Sequence, residues 1–154
     1  MSIQIVLGSK SDLKVAEKAI AVLKELGVNY KVSVASAHRT PELVDKLVSE
    51  ADAEVFIAIA GLSAALPGVI AARTSRPVIG VPVSGALNLD AILSVVQMPP
   101  GIPVAAVGLD RGENAALLAA QILSLKDDRI ADALEAYRRR LKDKVARDSE
   151  EVGA

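Results

Sequence analysis

The chain lacks cysteine and tryptophan altogether, and His38 is its only histidine. Without cysteine there is no disulfide, no thiolate nucleophile and no cysteine-ligated zinc, a composition that suits a reducing cytoplasm. One histidine also rules out the usual multi-histidine metal site within a single chain. Aromatic residues amount to 2 %, too few for a base-stacking platform or an aromatic cage around a ligand. Lysines and arginines number 18 against 19 acidic residues, for a net charge of −1, so the basic excess of a nucleic-acid binder is missing. Charge is scarcest over 55–109, where only Arg73, Arg76 and Asp90 carry any. A small monomer must show much of its surface to water, so this stretch predicts burial against other subunits in a homo-oligomer.

Long hydrophobic runs are nearly present. The uncharged stretches 55–72 and 91–109 have the length of a membrane span. Gly61, Pro67 and Gly68 interrupt the first, and Pro99, Pro100, Gly101 and Pro103 the second. Such breaks would leave backbone groups unpaired in lipid, so no membrane span is expected. Met1 to Ile5 shows no basic segment leading into a long apolar one, so no signal peptide is expected either.

What remains is a chain that is 51 % hydrophobic and 154 residues long, enough for one α/β domain over 1–154 with a frayed tail from about 148. Short β-branched runs predict strands over 3–7, 28–34, 55–60, 77–83 and 104–107. Helical spacing predicts helices over 12–26, 41–51, 63–73, 89–96 and 113–125. A longer one over 128–146 has Ile130, Leu134, Tyr137, Leu141 and Val145 on one apolar face. Strands and helices alternating in this way, with nearly continuous apolar strands, imply a five-stranded parallel sheet covered by helices on both sides. Ligands of such sheets bind beyond the carboxyl ends of the strands. The loops to watch are therefore 8–12, 35–40, 60–67, 84–88 and 108–114.

The first of these, Gly8-Ser9-Lys10-Ser11-Asp12, sets a sharp turn and two hydroxyls at a helix start. That is a cradle for phosphate, and equally a helix cap with Ser11 or Asp12 bonding a free amide. Ser36-Ala37-His38-Arg39-Thr40-Pro41 offers a hydroxyl, an imidazole and a guanidinium. Arg39 suits an anion through paired hydrogen bonds, and His38 is the leading acid–base group in a chain with few alternatives near neutral pH. The plainer reading is a helix capped by Thr40, with Glu42 just inside and His38 and Arg39 solvated. The run 60–68 presents small residues past which a flat ligand could slide, or which simply pack closely. The proline-rich loop 97–103 is a wall, a lid or a rigid connector.

Taken in order, these segments resemble the family of N5-carboxyaminoimidazole ribonucleotide mutases and aminoimidazole ribonucleotide carboxylases of purine biosynthesis. The matching pieces are Gly8 to Asp12, Ser36 to Pro41, Leu66-Pro67-Gly68, Pro77 to Val83, Ser94 to Pro99, Gly101 to Val104, and Asn114 to Leu118. The resemblance implies a flavodoxin-like three-layer α/β/α fold assembled as a cytoplasmic octamer with sites at subunit junctions. It implies no metal and no organic cofactor. On this chain Ser9, Ser11 and Arg39 would hold the 5′-phosphate of a ribonucleotide and Asp12 its ribose hydroxyls. His38 would be the acid–base group with Ser36 beside the imidazole ring, and Ala60 and Gly61 would lie close to the migrating carboxylate, with CO2 as the transferred group.

The chain also departs from the family pattern. The mutase branch usually has a histidine just before Leu-Pro-Gly, where Ala65 stands here, and Leu62 and Ser63 replace a small glycine or alanine pair. Arg39, Pro41 and Gln97-Met98-Pro99 favour the mutase over the carboxylase that uses free CO2. Whether a separate ATP-dependent carboxyaminoimidazole ribonucleotide synthase supplies the substrate is open at this point. A non-catalytic nucleotide- or phosphate-binding module is the reading of a different class. A receiver domain, however, would need an aspartate where Ala60 and Gly61 stand, and a flavin carrier would need aromatic side chains. A serine hydrolase would need a Gly-x-Ser-x-Gly elbow, and none is present.

Overall fold

Successive side chains of a strand point to opposite faces, so a strand that is apolar at every position belongs between two layers. Strand β3 (Val55–Ala60, sequence VFIAIA) is buried at all its positions in the computed structural model, which describes residues 1–153. Beside it lie β1 (Ser2–Leu7), β2 (Asn29–Val34), β4 (Val78–Pro82) and β5 (Ala105–Ala106), all parallel, in the order β2-β1-β3-β4-β5. This is the flavodoxin-like order, whose switch point between β1 and β3 opens a crevice at the carboxyl edge.

Helices α1 (Leu13–Glu25), α5 (Gly112–Ser124) and α6 (Asp128–Gly153) cover one face over Ile3, Ile5, Ile57 and Ile79. Helices α2 (Pro41–Glu50), α3 (Leu66–Ala71) and α4 (Asn88–Val96) cover the other over Val6, Phe56 and Ala58. The sheet therefore sits between two apolar layers, as the strand pattern implied. Ala115, Ala116, Ala119 and Ala120 of α5 are all fully buried, and their small size lets α5 lie close to α1. At Gly112 the approach is closest: a Cβ there would stand 2.1 Å from the backbone oxygen of Val15.

Three expectations needed correction. The helix expected over 63–73 is confined to Leu66–Ala71, because Leu62 (φ 52°) and Ala64 (φ 40°) are left-handed and a right-handed helix cannot pass through them. Strand β5 is only Ala105–Ala106 and both residues are exposed, as an edge pairing on one side alone allows. Helix α6 continues past Ala146 to Gly153, while its docked face ends at Tyr137 and leaves Leu141 and Val145 exposed. Among the described residues no helix is long and apolar enough to cross a membrane.

Candidate active site

The loops after β1, β2, β3 and β4 converge on a cavity of about 570 Å³ at the carboxyl edge of the sheet. The amide of Gly8 donates to the carbonyl of Ile59 (2.9 Å), which brings the first loop against β3. Ser9 is extended (φ −155°) and caps a 3-10 turn at Lys10–Asp12 that leads into α1. Its Oγ accepts the Ser11 amide (3.3 Å), and Asp12 Oδ2 accepts the Ser9 amide in return (2.9 Å). The Ser11 hydroxyl reaches Asp12 Oδ1 at 3.4 Å. The capping reading of this loop holds for Asp12, but not for Ser11: the partner of Asp12 in the reciprocal pair is Ser9, and Ser11 supplies the amide that Ser9 accepts. The hydroxyls of Ser9 and Ser11 still line the cavity.

Asp12 is only 6 % exposed. Burial pushes its carboxyl above the usual carboxylate range, against the pull of hydrogen bonds from Ser9 and Ser11 and the charge of Arg39. Such a group is an acceptor already engaged by its own loop, with lone pairs to spare at a position that lines the cavity.

The second loop is closed by Thr40, whose Oγ1 accepts the Ser36 amide (2.9 Å) and donates to the Ser36 carbonyl (3.3 Å). The expectation that Thr40 caps α2 is therefore corrected: it occupies the cap position, but its side chain turns back to Ser36 and makes no capping bond. Pro41 and Glu42 do lie in the first turn. Ser36 Oγ in turn accepts from the Arg39 amide (3.2 Å) and from Arg39 Nε (3.3 Å). Arg39 Nη2 reaches across to the carbonyl of Gly8 (3.1 Å), so the guanidinium ties the first two loops together. These bonds hold the plane of the fork and leave its other N–H donors for an anion. His38 is exposed at the cavity wall, and among the described residues its ring makes no hydrogen bond.

Ala60 and Gly61 begin the third wall, and the Ala64 amide closes a turn onto the Gly61 carbonyl (2.9 Å). Ser63 and Ala65 also line the cavity, and Leu62 projects into solvent at its rim. The fourth wall is Val83, Ser84 and Gly85. Every site residue expected from the sequence, Ser9, Ser11, Asp12, Ser36, His38, Arg39, Ala60 and Gly61, lines this one cavity. What went unnamed among them is the fourth wall, although the rule that ligands gather beyond strand ends had pointed to that loop. The proline-rich loop 97–103 lies at the opposite, amino-terminal edge. There Gly101, Ile102 and Pro103 border a second cavity of about 750 Å³ with Arg73 and Arg76. Among the described residues no group of three or more His, Cys, Asp or Glu side chains is placed to hold a metal ion.

Fold and site together define a doubly wound α/β domain with a hydroxyl and guanidinium cradle beside a lone imidazole at the switch point. The chain belongs to the AIR carboxylase family, whose sequence profile matches residues 2–144. It is 62 % identical over 149 residues to the N5-carboxyaminoimidazole ribonucleotide mutase of Methanocaldococcus jannaschii, covering 96 % of this chain and 95 % of that one. The mutase of Pyrococcus abyssi is 54 % identical over 143 residues, covering 90 % of this chain and 82 % of its own. In three dimensions the chain superposes on the crystal structure of Treponema denticola PurE with a TM-score of 0.90 at 35 % identity, covering 99 % of each.

Proposed function

We propose that this protein is an N5-carboxyaminoimidazole ribonucleotide mutase of de novo purine biosynthesis. Its substrate would be held by the 5′-phosphate on Ser9, Ser11 and Arg39, and by the ribose on Asp12. Ser36 would lie beside the imidazole ring, with Ala60 and Gly61 next to the carboxyl group. The observation that carries this reading is the convergence of all these residues with His38 on one cavity of about 570 Å³.

The cycle needs one proton carrier. Protonated His38 donates to the carbamate nitrogen, the nitrogen–carbon bond breaks, and CO2 is released within the cavity. The enamine carbon C4 of aminoimidazole ribonucleotide then attacks that CO2 and forms the carbon–carbon bond. Neutral His38 removes the C4 proton, which restores the aromatic ring and returns the histidine to its starting form. Positioning and acid–base help each lower the barrier: well-oriented acid–base catalysis is typically worth about 10²–10⁴-fold. The cycle as written uses no cofactor.

The test separates mutase from direct carboxylase. With the carboxyl carbon of the substrate labelled, the mutase passes its label to the product even in excess unlabelled bicarbonate. Dilution of the label to the solution value would overturn this reading in favour of the carboxylase. Binding of the ribonucleotide with no turnover of any kind would favour a nucleotide-binding module. The same reading makes the protein a cytoplasmic homo-octamer fed by a separate ATP-dependent carboxyaminoimidazole ribonucleotide synthase.

A further inference from the structure

The loop after β5 contributes nothing to the cavity lining, yet it holds a loop that does. The amide of Asp110 donates to the carbonyl of Pro82 (2.9 Å), at the end of β4. Its side-chain Oδ1 accepts the amide of Ser84 at 2.8 Å. From the other side, Lys18 Nζ of α1 donates to the Asp110 carbonyl (3.0 Å). To make these contacts together Asp110 takes φ 58°, a left-handed conformation in which aspartate and asparagine are less strained than other side chains. Burial works against ionisation of this carboxyl. The hydroxyl and amide of Ser84 outweigh it, helped by the charges of Lys18 and Arg111, and hold it below the usual range.

The anchored segment matters because of where it stands. Val83 donates its amide to the Ala60 carbonyl (2.9 Å), and a Cβ on Gly61 would meet the Val83 carbonyl at 3.4 Å. At Val83 the fourth wall therefore lies directly against the residues assigned to the migrating carboxyl group, and Ser84 and Gly85 continue it along the same cavity. Its far end is tied only locally, Gly85 donating to Asn88 Oδ1 (2.8 Å). Among the described residues, Asp110 is the residue from another strand's loop that holds Ser84, while Val83 is held by the end of β3.

We propose that Asp110 is the positioning residue of the fourth wall, fixing Ser84 and Gly85 where they continue from Val83 along the cavity, so that CO2 freed at the site is recaptured rather than lost. The proposal rests on the mutase reading above. Three variants separate tethering from backbone strain. Asp110→Gly removes the acceptor and accepts the left-handed backbone without cost. Asp110→Asn keeps an acceptor and tolerates the same backbone. Asp110→Ala loses the acceptor and adds strain.

Amide hydrogen exchange at Ser84 and uptake of labelled CO2 from solution into product are measured on each. Losing one charge-assisted hydrogen bond should speed Ser84 exchange about tenfold in Asp110→Gly and Asp110→Ala. Label uptake should rise by about the same factor, while Asp110→Asn stays within about threefold of wild type. If Asp110→Gly matches wild type in both measurements and only Asp110→Ala is defective, the residue serves backbone geometry alone and the proposal is overturned. Equal label uptake by Asp110→Gly and Asp110→Asn overturns it as well. Failure of the mutase reading itself would show differently, as full label exchange or no turnover in the wild type, with the Ser84 exchange rates still reporting on the tether.

Discussion

Among the residues lining the cavity Asp12 is the only carboxylate, and it already serves the cap that shapes the first loop; the proposed function gives it the ribose as well. Because burial raises its pKa, the folded state binds the proton more tightly than the unfolded chain does. Stability contributed by this group is therefore greatest with the carboxyl protonated, and it declines as pH climbs from the unfolded value through the raised folded one. Asp12→Asn, which keeps an acceptor for the Ser9 amide, should hold or raise the thermal midpoint at neutral pH and remove that decline. Nucleotide affinity should fall in the same variant. A midpoint well below wild type across the pH range would show that the charge stabilises the loop after all. His38 makes the opposite trade, since no bond from the described residues holds its ring. His38→Asn should bind the ribonucleotide normally while turnover falls by about 10²–10⁴-fold, read by equilibrium binding beside steady-state rates. Near-normal turnover would reject its role.

Elements that face one core along their whole length were legible from pattern alone. β3 was expected over 55–60 and is found there, because Val55, Ile57 and Ile59 meet one apolar layer and Phe56, Ala58 and Ala60 the other. The segment leading into α3 was not, because helical propensity in Leu62-Ser63-Ala64-Ala65 yields to a wall that must turn tightly onto Gly61. α6 was misjudged in the other direction. Its apolar spacing runs on beyond the last residue that has a core to meet. Between elements, α1 packs closely on α5, and at the point of tightest approach this depends on one missing side chain. At Gly112 an added Cβ would meet backbone, which cannot rotate away, so Gly112→Ala must separate the two helices. Overpacking of this kind costs about 1–3 kcal/mol, which chemical denaturation should show as a lower midpoint at an unchanged slope. At Gly85 nothing lies within 4 Å of the added atom, and Gly85→Ala should unfold at the wild-type midpoint. Equal midpoints for the two would mean that α1 and α5 have slack.

At the scale of the whole molecule, the site was readable because flavodoxin topology brings the ends of β1 to β4 together, so motifs far apart in sequence share one cavity. The tether from Asp110 to Ser84 was not, since no spacing or periodicity links those positions before β4 and β5 pair. The scarcity of charge over 55–109 belongs to this scale too. Within that stretch Leu62 is 73 %, Leu87 62 %, Leu89 66 % and Val96 50 % exposed. Fully burying one such side chain is worth about 1.5–3 kcal/mol, so a surface carrying several of them is a strong drive to associate. Leu89 lines no part of the cavity in the single chain. If copies of the chain join through this surface, as the proposed function has it, Leu89→Glu would set a charge into that contact and should shift the protein in sedimentation velocity from a large species toward smaller ones at micromolar concentration. The circular dichroism of the folded chain should be retained, since the position is open in the single subunit. A wild type that sediments as a monomer, or a Leu89→Glu variant that keeps the wild-type size, would mean that the uncharged stretch has some purpose other than joining subunits.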